Sequence, residues 1–337
     1  MWVAYTHRAS TAECVSIAFA LIRRQFSARM LVETLQQLSN AFGVAGFEDE
    51  VRNLLQQLLK PYVDEISVDR LGNLIAVKRG KSDTPRVMLA AHMDEVGLMV
   101  KVIDEKGFIG FAKLGGIDDR ILLAQPVIIR TEKGPVCGII GSKPPHILKE
   151  EERKRVLEYT EMFIDVGASN REEVEKLGVR VGDPIVFDIQ FHHLSKGTVY
   201  GKAFDDRAGC AALVGIAKAL AEEPPPCTVY LVGTVQEEVG LRGAATSAYR
   251  LYPDAAIAID VTVAGDVPGV KEIEAPIKLR KGPAITVADA GLIAHPKIFR
   301  LLRDTARELQ IPFQLESGLG GTTDAARFAL TREGIPS

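Results

Sequence analysis

Cysteine is scarce in this chain: 337 residues hold four, Cys14, Cys137, Cys210 and Cys227, widely scattered and without a CxxC pair. That spacing fits reduced thiols serving as core residues in an intracellular, cytoplasmic setting. A basic excess is also absent, since the net charge is -3 and the pI near 6.1, which excludes nucleic acid as a main partner. Long apolar runs are missing. The run CVSIAFALI is too short to span a bilayer and is followed by Arg23 and Arg24, so no membrane partner is expected. A secretory signal would place its basic region before such a run and a small-residue cleavage site after it, and His7, Arg8 and FSA supply only a faint version of both. Residues 1–29 are read instead as a loosely attached extension, translated from upstream of a start at Met30 and outside the fold. Aromatics make up 6% and the one tryptophan, Trp2, lies in that extension, which leaves few platforms for stacking sugars. The glycines of ESGLGGTTDAA lack both a GK[ST] ending and a GxGxxG spacing, which excludes a phosphate loop. No internal repeat or low-complexity tract is visible.

What is present is an ordinary globular composition, long enough for about two domains. From Met30 the apolar residues of MLVETLQQLSNAFG and EDEVRNLLQQLLKPY recur at helical spacing, ending at Gly43 and Pro61. Strand candidates ISVDRLGNLIAVKRG and TPRVMLAAHMDEVG follow. Between about Val96 and Val199 the texture changes to short β-like runs broken by Gly and Pro, GLMVKVID, GFIGFAKLGG, QPVIIRTEKGPVCGIIG and DPIVFDIQF, which predicts a small barrel or sandwich inserted in an α/β domain. The charged LKEEERKRVLEYTEM reads as a solvated helix or mobile loop. After Tyr200 the α/β pattern resumes with helix DRAGCAALVGIAKALAEE, strand CTVYLVGTV, helix RGAATSAYRL, strands AAIAID and PAITVAD, and helix PKIFRLLRDTARELQ.

Four polar clusters stand at the ends of apolar runs, where strand ends of an α/β sheet open into a crevice. VMLAAHMDEVG places His92 and Asp94 two apart, on one face of an extended strand, so that one can be a metal ligand while the other fixes the imidazole. GKAFDDRAGC offers Asp205 and Asp206 at a turn into a helix, QEEVG offers Glu237 and Glu238, and AAIAIDVT ends on Asp260. A single such pair is most often solvated charge. Four of them at apolar boundaries point to metal chemistry, and adjacent glutamates in extended chain point in different directions, so one can bind a cation while the other faces the water to be activated.

Taken in order, AAHMDEVG, SKPPH, GKAFDDRAGCAAL, QEEVGLRGA, AIDVT and GGTTDAA resemble the glutamyl aminopeptidase/TET family of di-metal aminopeptidases, some of which carry a cellulase M-like label. The resemblance runs from Met30 to Ser337. It implies an α/β fold, a three-layer α/β/α peptidase sandwich (residues 30–97 and 198–337) with an inserted small β-barrel-like dimerisation domain (98–197), and dimers assembling into a twelve-subunit shell. It implies a metal-dependent aminopeptidase acting on short peptides, with two divalent cations per subunit. N/O ligands suit zinc or cobalt, and manganese as well. By the same resemblance His92 and Asp260 serve one metal site, Asp205 bridges, Glu238 serves the other site, Glu237 is the general base and Asp94 orients His92. Gly320, Gly321 and Thr322 line the substrate site. Asp206 is then structural, His295 has no ligand role, His146 is a loop histidine, and His192 and His193 face solvent or an interface.

One departure stands out. The family completes its second metal site with a histidine in an RYxH-like motif beyond GGTDA, and this sequence reaches Ser337 before such a motif. The expectation is that the sequence is a truncated form of a longer, active enzyme, since every other site residue is present; the alternative is a catalytically impaired or single-metal relative acting as an assembly subunit. The cellulase-like label separately raises a glycoside hydrolase using paired carboxylates.

Overall fold

A computed structural model of the chain describes residues 28–337 other than 148, 151–153 and 319. The reading of residues 1–29 as an extension therefore lies almost wholly outside the described residues. In chain order the elements are α1 (Ala28–Asn40), α2 (Asp49–Leu59), β1 (Glu65–Val68), β2 (Leu74–Lys78), β3 (Arg86–His92), β4 (Gly97–Ile103), β5 (Ile109–Leu114), β6 (Pro126–Thr131), β7 (Gly134–Ser142), β8 (Met162–Asp165), α3 (Arg171–Leu177), β9 (Pro184–Phe187), β10 (His192–His193), β11 (Val199–Tyr200), α4 (Phe204–Glu222), β12 (Thr228–Thr234), α5 (Arg242–Leu251), β13 (Ala255–Ala258), β14 (Ala284–Ala288), α6 (Pro296–Glu308), β15 (Gln314–Ser317) and α7 (Ala325–Ala329).

Two compact units divide the chain. One takes in Val51–Met93 and Phe204–Ser337, the other Ser39–Glu50 and Asp94–Ala203. In the first, a five-stranded sheet has the order β1-β2-β12-β3-β13, and β14 pairs with β15 in a separate parallel ribbon. Both β12 and β13 run parallel to β3. A parallel strand covered on both faces loses the alternation of polar and apolar residues, and β3 is accordingly buried from Val87 through His92. Helix α4 is buried around most of its circumference, which its alanines and glycines make sterically feasible.

In the second unit, β4, β5, β8, β7, β6 and β9 close a barrel in that order. Its interior is filled by Leu98, Ile109, Phe111, Ile129, Ile164 and Ile185 among others, while outward residues of β6 and β7 are exposed, the inside-outside alternation of a small barrel. Sequence texture indicated the barrel strands but not α3, a short helix capped by the Asn170 side chain on Glu173 N and ended by Gly178 at φ 100°.

The cysteine reading needs correction. Cys210 is buried and free, but Cys137 is exposed on β7 rather than in a core, and Cys227, though buried, is disulfide-bonded rather than reduced. Spacing carries no information on which distant thiols a fold brings together. Among the described residues no helix is long and apolar enough to cross a membrane.

Candidate active site

Three parallel strands deliver the site. β3 ends on His92, opposite Thr234, the last residue of β12, and β13 ends two residues before Asp260. Beyond β12 the backbone turns sharply at Gln236, a non-glycine residue at φ 56°. Such a conformation persists only where surrounding bonds over-determine it. Here Arg242 N donates to the Gln236 carbonyl at 3.2 Å, Gly243 N to that of Val235 at 2.9 Å and Leu241 N to that of Glu237 at 2.8 Å. Buried Asn73 locks the turn from below, accepting from Val235 N at 3.0 Å and donating to the Gly243 carbonyl at 3.0 Å. A Cβ on Gly243 would stand 2.3 Å from Asn73 Oδ1, so the loop that presents Glu237 and Glu238 requires glycine there.

His92, Asp205 and Asp260 converge, with one ligand atom from each within 4.8 Å of the others. His92 Nε2 lies 2.8 Å from Asp205 Oδ1 and 3.9 Å from Asp260 Oδ1. The imidazole is buried, the Asp260 side chain mostly so, and the Asp205 side chain is half exposed. One nitrogen and two carboxylates closing on a point form a donor set suited to a divalent transition metal.

The aspartate beside Asp205 is different. Asp206 is fully buried, accepts from His92 N at 3.2 Å and from Gly209 N at 2.9 Å. Burial pushes its pKa well above the ordinary carboxylate value, and the Asp260 and Asp205 charges push the same way against His92. Glu237, 9% exposed, is raised to about 9, first by burial; His92 opposes, while Asp324, Asp260 and Glu238 add to the rise. Glu238 is partly exposed and stands outside the His92 triad, although it lines the same cavity. Asp94 is fully buried two residues past His92.

The triad opens on a cavity of about 760 Å³, largely apolar, that Glu237, Glu238, Gly320, Gly321 and Thr322 also line. Thr322 Oγ1 donates to Asp289 Oδ1 at 3.2 Å, and the Ala290 N–H donates to the Gly321 carbonyl at 2.9 Å, tying the glycine-rich loop to the turn after β14. Two acids went unremarked in the sequence. Asp289 anchors that loop, and buried Asp324 accepts from Thr234 Oγ1 at the end of β12. The signal for Asp324 was there: an acid directly before a helix, after a run of glycine and threonine. The other histidines among the described residues lie elsewhere. His146, His192 and His193 are exposed in the barrel unit, and His295 precedes α6, its N–H donating to the Ser337 carbonyl at 2.8 Å.

A mixed sheet whose parallel strands end on a histidine and carboxylates beside a cavity is an arrangement able to hold a divalent cation. The chain belongs to the M42 glutamyl aminopeptidase family, whose profile matches residues 72–337. It is 37% identical over 306 residues to the lysyl aminopeptidase of Pyrococcus furiosus, spanning 90% of this chain and 86% of that one. Its fold is similar to the crystal structure of a TET aminopeptidase from a marine sediment archaeon of the Thaumarchaeota, with a TM-score of 0.89 and 44% identity over 92% of this chain and 87% of that one. A TET1 peptidase of Pyrococcus horikoshii, which can assemble into a tetrahedron or a large octahedral shell, is 36% identical with a TM-score of 0.80, covering 88% and 87%. The chain is accordingly a peptide hydrolase of the aminopeptidase class, and its mixed α/β architecture with a closed six-stranded barrel is that of the TET aminopeptidases.

Proposed function

We propose that the chain removes N-terminal residues from short peptides by hydrolysis, as a metal-dependent aminopeptidase with two divalent cations per subunit as cofactors. His92, Asp205 and Asp260 would hold one, and Asp205 with Glu238 the other. The observation that carries this reading is the convergence of His92, Asp205 and Asp260 beside the buried carboxyl of Glu237. When bound, divalent cations lower the pKa of a coordinated water and polarise the scissile carbonyl.

Glu237 takes the proton of the attacking water and returns it to the leaving amine. For that it must ionise, and positive charge nearby favours its carboxylate. Asp94 orients the His92 ring, and Asp206 acts only through the backbone it binds. The loop of Gly320, Gly321 and Thr322 gives backbone room for the substrate chain along the apolar cavity. The barrel unit supplies the surface for self-association into an oligomer of the TET kind, which the P. horikoshii relative supports.

The single-cation reading also has an observation in its favour, because one three-donor group is found among the described residues and it excludes Glu238. Metal analysis after dialysis against cobalt or zinc, with aminoacyl-p-nitroanilide hydrolysis in parallel, separates the two. The expected result is two metals per chain with chelator-sensitive release of nitroaniline. Glu237→Gln should keep the metals and lower kcat by about 10²–10⁴; retained turnover removes Glu237 as the base, and one metal without turnover establishes the single-cation relative.

A further inference from the structure

The sheet ladder runs out at His92, the residue whose ring matters most. Backbone groups at a strand end must find other partners once the neighbouring strand stops. All four polar groups of His92 and Met93 are occupied. His92 N–H donates to Asp206 Oδ2 at 3.2 Å, the His92 carbonyl accepts from Cys210 Sγ at 3.2 Å, Met93 N–H donates to the Thr234 carbonyl at 2.7 Å, and the Met93 carbonyl accepts from Arg207 Nε at 2.8 Å.

Three of those four partners are side chains of one short stretch, Asp206, Arg207 and Cys210, at the start of α4. All three are fully buried. The same stretch carries Asp205, whose Oδ1 touches His92 Nε2. Strand end and helix start are therefore laced together on both sides of the ring: by the carboxylate at its tip, and by three bonds to the peptide groups at its base. The residues used are costly choices for mere filling. A buried guanidinium must be desolvated, and an apolar side chain of similar volume would fill the space without that penalty. Arg207 instead aims one nitrogen at the Met93 carbonyl and another, 2.6 Å away, at the carbonyl of Leu38, which lies in the last turn of α1 where helix carbonyls lack partners of their own.

We propose that Asp206, Arg207 and Cys210 are positioning residues, a clamp on the His92–Met93 backbone that sets where the imidazole nitrogen stands relative to the Asp205 carboxylate. The proposal rests on the reading of His92 and Asp205 as cation ligands. A site fixed to within about half an ångström before the cation arrives binds it more tightly than one that must be assembled. Cys210 allows the cleanest test, because serine keeps a donor for the His92 carbonyl and alanine removes it with little change of volume.

The experiment is a cobalt titration of the full chain in a Cys137→Ser background, which removes the exposed thiol, comparing Cys210, Cys210→Ser and Cys210→Ala. Affinity and the visible absorption of the bound cobalt are the readouts, with thermal melting of the metal-free proteins alongside. Cys210→Ala should bind cobalt about tenfold more weakly with an altered visible spectrum, the size seen when partners behind a ligand are lost. Cys210→Ser should restore both. Equal affinity and identical spectra in all three overturn the clamp. A loss in Cys210→Ala that serine does not restore, matched by an equal loss of melting temperature in both variants, overturns it as well. If the parent chain takes up no cobalt, the ligand reading of His92 and Asp205 falls and the clamp with it, an outcome distinct from the other two.

Discussion

The raised pKa of Glu237 makes a quantitative prediction about stability in the metal-free chain. Its carboxyl titrates near 9 in the folded protein, against about 4.3 for an unperturbed glutamate. Between those values the folded state holds a proton that the unfolded state has released. Unfolding stability then falls as pH rises, by about 1.4 kcal/mol per pH unit for one such group, and the loss is complete only above the folded pKa. From pH 6 to pH 8 this group alone costs about 2.7 kcal/mol. Glutamine has nearly the shape of the protonated acid and no proton to lose. Glu237→Gln should therefore flatten the pH dependence by that amount, leaving the remaining slope to other groups, Asp206 foremost. Urea unfolding at pH 6, 7 and 8, after chelator treatment, measures it. Parallel curves for the two proteins would refute the argument, because they would mean that Glu237 is already ionised when folded. Saturating cobalt should shrink the difference, since cations favour the carboxylate.

Two further outcomes follow from the packing. In Gly209→Ala the new Cβ would meet Asp206 Oδ2 at 2.4 Å, forcing that carboxyl away from His92 N. The expected destabilisation is about 1–3 kcal/mol, read as a lower thermal midpoint; an unchanged midpoint would show that Asp206 is free to move. In the barrel unit Lys202 Nζ bonds Glu95 Oε1 at 2.7 Å and the Ala41 carbonyl at 2.8 Å, with both side chains almost wholly buried. Lys202→Ala should cost about 3–5 kcal/mol in denaturant unfolding, because one buried charge outlives its partner. The pair of changes Lys202→Met and Glu95→Leu should recover most of it.

Much of this was legible because burial leaves a mark in sequence. The run VMLAAH could be read as a strand and its last residue as the start of a site, since a parallel strand covered on both faces must be apolar until it emerges. The barrel showed through short β-like runs broken by Gly and Pro, such as QPVIIRTEKGPVCGIIG, whose outward residues are exposed and whose turn closes at Gly134. What stayed hidden depends on contacts between distant residues. Nothing near Asn73 signals that it braces a loop at Val235 and Gly243, 162 and 170 residues away. Helix α3 was masked by its surroundings, seven residues amid strands with too few turns to show a period.

The doublets DD and EE divide their labour by depth rather than by type. Asp205 stays half exposed and reaches the imidazole, whereas Asp206, its neighbour, is sealed beneath and bonds only backbone among the contacts seen here. Glu238 is the more exposed of its pair, and Glu237 the one that burial keeps protonated. Four ionised carboxylates in so small a volume would repel strongly. Burial raises the pKa of Asp206 and of Glu237, so both hold their protons to higher pH than ordinary carboxylic acids, which lowers the negative charge gathered at the site. A divalent cation held by His92, Asp205 and Asp260 would favour the carboxylate form of Glu237, so the group proposed as base would be the ionised form when the cofactor is bound.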